Sequence, residues 1–443
     1  MSEVVLITIS GQDKSGLTSA LTGILAGYDI NVLDIGQSVI HESLSLGILI
    51  ESPHENQSCS VFKDILFKAH ELNLNVRFIP VSNDEYEHWV SAQGRAKHIV
   101  TLLGHQISAK HLSRVTEVVT EHGFNIDQIS RLSGRLSLSQ PDRTELPLNE
   151  SPLNESPLTE SPLTESPLYE LPLYELPRGA SVQLSLSGDV KDIPAMHAKF
   201  LHISQELDLD VAVQEDNLYR RSRRLVCFDM DSTLIQVEVI DELAKAAGVG
   251  EQVAAITELA MRGEIDFSES FRQRMALLKG LDESVLKGIA ESLPITEGAD
   301  RLISHLRHFG YKIAILSGGF TYFANFLKDK LGVDYVYANQ LDFENGKLTG
   351  KVKGEIIDGK MKARLLTQIA EQEGISTEQV IAVGDGANDL PMLAIAGLGV
   401  AFHAKPLVKE QAKHSIANLG LDAILYLLGI RDRELAELAD NQK

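Results

Sequence analysis

The chain has 443 residues, 44% of them hydrophobic and 23% charged, which predicts two to four domains and enough apolar material for more than one core. Its 41 Lys and Arg stand against 62 Asp and Glu, a net charge of −21 that disfavours nucleic acid and anionic membrane surfaces as partners. Two distant cysteines, Cys59 and Cys227, form no disulfide framework or metal knuckle, and no apolar run approaches the roughly 18 residues of a membrane span, so a cytoplasmic chain without a leader is expected.

Taken in order, residues 4–10 read as a strand, 16–28 as a helix, 31–41 and 44–51 as two strands, 58–73 as a helix and 74–82 as a strand. This βαββαβ order recurs: 98–104, 125–135, 181–188 and 209–214 read as strands, and 110–122 and 193–207 as helices. Two tandem ferredoxin-like units account for both stretches, the first within 1–83 and the second within 96–216. In the first unit Gly11 to Gly16 links strand to helix, with Asp13 or Ser15 expected to cap the helix, the alternative being a small-ligand site in which helix N-terminal amides take a carboxylate and Asp13 an amine.

Inside the second copy, between its second and third strands, lies a tract with a period of five. Proline returns seven times from Pro147 to Pro177, with seven glutamates and no Lys or Arg between Glu145 and Pro177. Each proline removes a backbone donor and biases its predecessor away from the helix, so an expanded, disordered insertion at 138–178 is expected at what would be a hairpin turn.

From Arg224 the pattern changes. LVCF (225–228), KIAIL (312–316) and VIAV (380–383) are apolar throughout and alternate with helical stretches at 239–247, 296–310, 322–331 and 360–373. Such strands indicate a parallel sheet covered on both faces, with its site beyond the strand C-termini. A polar cluster follows each strand. Asp229-Met230-Asp231 offers two carboxylates on one side, fit for a nucleophile and an acid/base partner, although alone it also describes a solvated turn. Ser317-Gly318-Gly319 suits phosphate oxygens at a helix start. Gly384-Asp385-Gly386-Ala387-Asn388-Asp389 suits a hard cation such as Mg²⁺, and Lys362 supplies a point charge for phosphate and for the attacking carboxylate.

In this order the motifs resemble the haloacid dehalogenase superfamily of phosphotransferases: Asp-x-Asp-x-Thr, then Ser, then Lys, then Asp-Asp. The segments 229–244, 260–280, 295–299, 317–320 and 383–393 are similar to its phosphoserine phosphatase family, and the two N-terminal units resemble ACT domains. The resemblance implies an α/β fold: a doubly wound parallel-sheet domain over 222–443, with a small helical cap at about 236–295, preceded by the two ferredoxin-like units. It implies an O-phospho-L-serine substrate and the last step of L-serine biosynthesis. Asp229 would be the nucleophile and Asp231 the acid/base. Mg²⁺ would be held by Asp229, the main-chain carbonyl of Asp231 and Asp385, with Asp389 in support. Ser317, Gly318 and Lys362 would hold the phosphoryl group and Asn388 would line the site. Glu238 would meet the substrate ammonium, Arg274 rather than its neighbour Arg272 the carboxylate, and Phe267 an apolar wall. The ACT-like units would take L-serine or another amino acid, and their edge strands allow a homodimer.

Two other readings stand beside this one. A related phosphomonoesterase with another small substrate would lack Glu238 or Arg274. A serine-sensing module with a dead catalytic domain would lack the intact carboxylates and Lys362.

Overall fold

A computed structural model describes residues 4–51, 55–92, 97–134, 179–188, 192–262 and 264–440. The insertion expected at 138–178 lies outside these residues. The chain divides into two compact units, residues 1–95 and 96–443.

The first unit runs β1 (Val4–Gln12), α1 (Leu17–Gly27), β2 (Val32–Ile40), β3 (Ser43–Glu51), α2 (Glu55–Glu71), β4 (Asn75–Val81) and α3 (Asn83–Ala92). Its antiparallel sheet has the order β2-β3-β1-β4. Alternation builds the core: Val5, Ile7 and Ile9 of β1 and Leu44, Leu46, Ile48 and Ile50 of β3 meet Leu17, Leu21 and Leu25 of α1 and Val61 and Ile65 of α2. Neither Asp13 nor Ser15 caps α1. Pairing of β1 with β3 continues to Gln12, Asp13 N donates to Glu42 O at 2.7 Å, and the cap falls on Gly16 at φ +86°, a conformation open to glycine. Helix α3 was not expected from the sequence. Its start is a capping box, in which Glu85 Oε2 accepts the Ser82 N–H at 2.9 Å and Ser82 Oγ accepts the Glu85 N–H at 3.3 Å.

The second unit opens with β5 (Lys97–Gly104), α4 (Ala109–Glu121), β6 (Asn125–Arg131), β7 (Ala180–Ser187), α5 (Ile193–Leu207) and β8 (Asp210–Glu215), in the sheet order β6-β7-β5-β8. A short helix, α6 (Leu218–Arg221), leads to β9 (Leu225–Phe228), and four helices follow: α7 (Val239–Ala247), α8 (Gly250–Met261), α9 (Phe267–Leu277) and α10 (Val285–Ser292). Next come α11 (Ala299–His308), β10 (Lys312–Phe320), α12 (Thr321–Leu331), β11 (Tyr335–Glu344), β12 (Lys347–Lys353), α13 (Gly359–Gln372), β13 (Val380–Gly384), α14 (Leu390–Ile395), β14 (Leu398–Phe402), α15 (Pro406–Gln411), β15 (His414–Ile416), α16 (Ile424–Leu427) and α17 (Asp432–Asp440). The large sheet has the order β12-β11-β10-β9-β13-β14-β15, with β9, β10, β11, β13, β14 and β15 parallel and β12 returning antiparallel on β11.

The two sheets of this unit share a core. Val100, Leu102, Leu184 and Leu186 face α4 and α5, whereas Leu103, Leu132 and Ala212 join the cluster that holds Val226, Phe228 and Leu425. Polar bonds cross the same seam. Buried Asp210 accepts the N–H groups of Ala417 and Asn418 at 2.9 and 3.0 Å, and Gln214 Nε2 donates to Leu427 O at 2.9 Å.

His414 lies in that seam, with its Nδ1 unpaired among the described residues. Burial first, then His197, Arg223 and Lys413 nearby, lowers its pKa from 6.5 to about 3. Between those values the unfolded chain binds the extra proton, so stability is intact above pH 6.5 and drains away as pH falls. His414→Gln should therefore lose less stability than the parent between pH 7 and 5, by about 2 kcal/mol in urea unfolding. Equal losses would show that His414 is not the group responsible.

Candidate active site

Strands β9, β10 and β13 lie side by side because all three are apolar enough to be buried on both faces. Phe228 pairs with Ile315 on one side and Val383 on the other, so the three polar clusters emerge together at the sheet's C-terminal edge. After Phe228 the chain makes one tight turn over Met230–Leu234, with Ser232 at φ +55°. This turn aims Asp229 and Asp231 into the same space from two directions.

Lys362 is the centre of the polar cluster. Its Nζ lies 2.8 Å from Asp229 Oδ1 and 2.7 Å from Asp389 Oδ1, and its side chain is 0% exposed. Asp229 Oδ1 also accepts the Met230 N–H at 2.7 Å, and Asp389 Oδ2 accepts the Gly386 N–H at 2.9 Å. Oxygens of Asp229, Asp385 and Asp389 all lie within 4.8 Å of one another. The Asp231 carboxylate accepts the Val239 N–H at 3.2 Å, at the start of α7. Glycine makes room: a Cβ on Gly319 would lie 2.5 Å from Asp231 Oδ2, and one on Gly384 would collide with the Asp389 carboxylate.

The electrostatics follow from like charges excluded from water. Burial, then Asp389 beside it, pushes Asp229 well above the usual carboxylate range, while Lys362 opposes them. Burial, Glu238 and Asp229 do the same to Asp231. Asp385 is pushed up to about 7 by burial and by Asp389 and Glu238. Burial alone would pull the Lys362 ammonium down, but Asp229 and Asp389 outweigh it and hold the proton more tightly than in water. Three carboxylates converging with one ammonium leave the cluster short of positive charge. Hard oxygen donors at this spacing fit a small divalent cation.

Above the cluster is a cavity of about 910 Å³, roofed by the cap helices α7 to α9. Of the residues expected from the sequence, Asp229, Asp231, Glu238, Phe267, Arg274, Gly318, Asp385 and Asn388 line it. Ser317, Lys362 and Asp389 lie beneath its floor, each 0% exposed; Ser317 Oγ accepts the Gly319 N–H at 2.8 Å. Arg272 is ruled out as the inward arginine: it is exposed and sits 3.8 Å from Glu269, while Arg274 points into the cavity. Glu238 is tied to the turn by Ser232 Oγ, which donates to its Oε1 at 2.9 Å. Sequence reasoning passed over Asp241 and Ser270, which also line the cavity. The available signal was helical spacing, three residues from Glu238 and four from Arg274.

Residues 223–397 match the haloacid dehalogenase-like hydrolase family, and residues 3–79 and 96–135 match ACT domains. The chain is 37% identical to a phosphoserine phosphatase of Streptomyces coelicolor over 98% of this chain and 94% of that protein. It is 47% identical to a phosphoserine phosphatase of Archaeoglobus fulgidus over 56% of this chain and 73% of the relative. A crystal structure of a probable phosphoserine phosphatase from Vibrio cholerae superposes with a TM-score of 0.54 at 33% identity, covering 80% of this chain and 90% of that one. The fold and site thus define a haloacid dehalogenase-like hydrolase with ACT domains ahead of it. Within that class, the chain belongs to the phosphoserine phosphatase family.

Lys362→Met would leave two buried carboxylates facing each other without their cation. We expect a loss of about 3–5 kcal/mol in urea unfolding with a chelator present, the cost of breaking a buried ion pair from one side. A change below about 1 kcal/mol, the scale of an exposed pair, would mean that water enters the cluster.

Proposed function

We propose that the protein hydrolyses O-phospho-L-serine to L-serine and phosphate, with Asp229 as nucleophile and Asp231 as acid/base. The observation that carries this reading is the separation of the two carboxylates. Asp229 is held against Lys362 at 2.8 Å, whereas Asp231 is held by the Val239 amide on the cap side. Burial raises both carboxyls, but Lys362 lies against the first, opposes the rise there and gives an attacking carboxylate its charge partner. The second has a raised pKa and can carry a proton to a leaving group.

In the first half-reaction an Asp229 oxygen attacks phosphorus, the bond from phosphorus to the serine oxygen breaks, and Asp231 gives that oxygen its proton. In the second, Asp231 takes a proton from water as the water attacks phosphorus, and the bond to Asp229 breaks to release phosphate. Lys362, the Gly318 amide and Ser317 hold the phosphoryl oxygens, with Asn388 beside them. The three converging carboxylates fit Mg²⁺, for which Asp229, Asp385 and the main-chain carbonyl of Asp231 would be ligands with Asp389 in support; when bound it neutralises charge on the phosphoryl group. Glu238 meets the substrate ammonium, Arg274 its carboxylate in a bidentate pair, and Phe267 closes the apolar side. On the same reading the enzyme works in the cytoplasm, the ACT domains take L-serine or another amino acid, and the exposed edge strand β2 pairs with that of a second copy.

Phosphate release from O-phospho-L-serine, measured with Mg²⁺ and with EDTA and against O-phosphothreonine, tests the assignment. Activity should require the cation and favour phosphoserine. Asp229→Asn should lose at least about 10³-fold in kcat while its melting temperature holds. Asp231→Asn should lose about 10²–10⁴-fold in kcat, because both proton transfers lose their group. A folded Asp229→Asn within tenfold of the parent would rule out the aspartyl-phosphate route.

A further inference from the structure

Two donors on one face of α9 have nothing to donate to. Ser270 is 1% exposed and its Oγ has no hydrogen-bond partner among the described residues; the buried Nε of Arg274, one turn further on, is in the same condition. Residues four apart share a helix face, and both side chains line the cavity above Asp229 and Asp231. A helical serine commonly returns its hydroxyl to the carbonyl four residues back. Here the Asp266 carbonyl takes only the Ser270 backbone N–H, at 2.9 Å. Buried polar atoms are rarely left unpaired, because the lost hydration is not recovered. Two such atoms side by side, in the wall of a cavity, indicate an acceptor that is absent from the free protein.

The surroundings narrow what that acceptor is. Glu238, at the N-cap of α7, and Asp241, in its first turn, make the cavity wall acidic within electrostatic reach of Arg274, which suits an ammonium beside the guanidinium. The α9 wall carries the guanidinium and the orphan hydroxyl, with the Phe267 and Phe271 rings beside them, 6.2 Å apart. A carboxylate fits there, since it accepts from both donors at once and brings no donor of its own that would need an acceptor.

We propose that Ser270 is a specificity residue that donates its hydroxyl to the substrate carboxylate alongside Arg274. This rests on the amino-acid phosphate reading given above. Removing the hydroxyl should leave the chemistry at phosphorus untouched and weaken only carboxylate recognition.

The test compares Ser270→Ala with the parent on O-phospho-L-serine, on O-phosphoethanolamine, which lacks the carboxylate, and on p-nitrophenyl phosphate. For phosphoserine we expect KM to rise about tenfold with kcat within about twofold, the scale of one hydrogen bond to a charged group. The two substrates without a carboxylate should keep their kcat/KM. Without substrate the variant should melt no lower than the parent, since an unpaired hydroxyl has been removed; a purely structural role predicts the opposite. Ser270→Thr, which keeps a hydroxyl, should recover phosphoserine KM toward the parent value. An unchanged phosphoserine KM, or an equal loss on all three substrates, overturns the proposal while leaving the phosphoserine reading intact. A parent enzyme that does not prefer phosphoserine to phosphoethanolamine overturns both.

Discussion

Asp229, Asp385 and Asp389 converge within 4.8 Å in a volume largely closed to water, and like charges there repel far more strongly than at a surface. Lys362, bonded to two of the three, makes the arrangement tolerable. Helix α13 delivers it, with Leu365, Leu366 and Ile369 of the same helix packed in one apolar cluster with Leu225, Cys227 and Ala314 of the sheet. Several other features serve this one constraint. The strands are apolar on both sides because the cluster must sit on a dry floor. Gly319 and Gly384 lack side chains because a carboxylate occupies the space a Cβ would need. Such ion clusters are weak contributors to stability, since desolvation offsets much of the attraction. What they provide is fixed charge, already oriented where a phosphoryl group would arrive, with little reorganisation left for the moment of reaction.

The catalytic floor was largely legible in the sequence because its signals are local. A continuous apolar run followed by a polar cluster marks a buried parallel strand and its C-terminal end, and LVCF, KIAIL and VIAV all occupy strands of the sheet. The outer strands were harder. Tyr335–Glu344 joins the sheet in parallel and Lys347–Lys353 returns antiparallel on it, both of mixed polarity, and Leu398–Phe402 is interrupted by Gly399. Within the site, i and i+2 carboxylates could be recognised, but which residues line a cavity depends on how the cap closes. Ser317 and Lys362 prove to lie under the floor, whereas Ser270 and Asp241 lie in the wall. Helical spacing from Glu238 and Arg274 points to the two wall positions, but nothing local places Ser317 and Lys362 under the floor.

The two βαββαβ units show how a partner surface can be written in a strand. In β1, burial alternates after its first residues, the mark of a sheet with one covered face. In β5 every residue after Lys97 is buried, although the topology is the same. The sequences differ accordingly: VVLITISGQ carries small polar residues toward its end, while HIVTLLG is apolar at nearly every position. The second copy needs this because its outer face, through Leu103 and Ala212, is part of the core around Val226 and Phe228. Buried Asp210 then fastens the seam with two backbone hydrogen bonds, from the half-buried Ala417 and Asn418. The ferredoxin-like pattern was visible at the level of element order; the covered second face was visible only in the composition of one strand.

The cap and the chemistry are mechanically one element. The Asp231 carboxylate is oriented by the Val239 amide, which belongs to the first turn of the cap, and Glu238 immediately before it is tied back to Ser232 of the catalytic turn. A group assigned to the substrate's ammonium and a group assigned to its leaving oxygen are therefore neighbours on one short stretch of backbone. Displacing the cap would move Val239 and release Asp231 together with Glu238. Recognition of the amino-acid end and readiness of the acid/base carboxylate then depend on the same closed geometry. On the proposed function, a substrate that fails to engage Glu238 would also leave Asp231 less well placed, so discrimination would fall on kcat as well as on KM. Buried Ser270 and half-buried Arg274 on α9 sit further along that cap, where a missing hydrogen bond would affect the fit of the substrate but leave the Val239 contact in place.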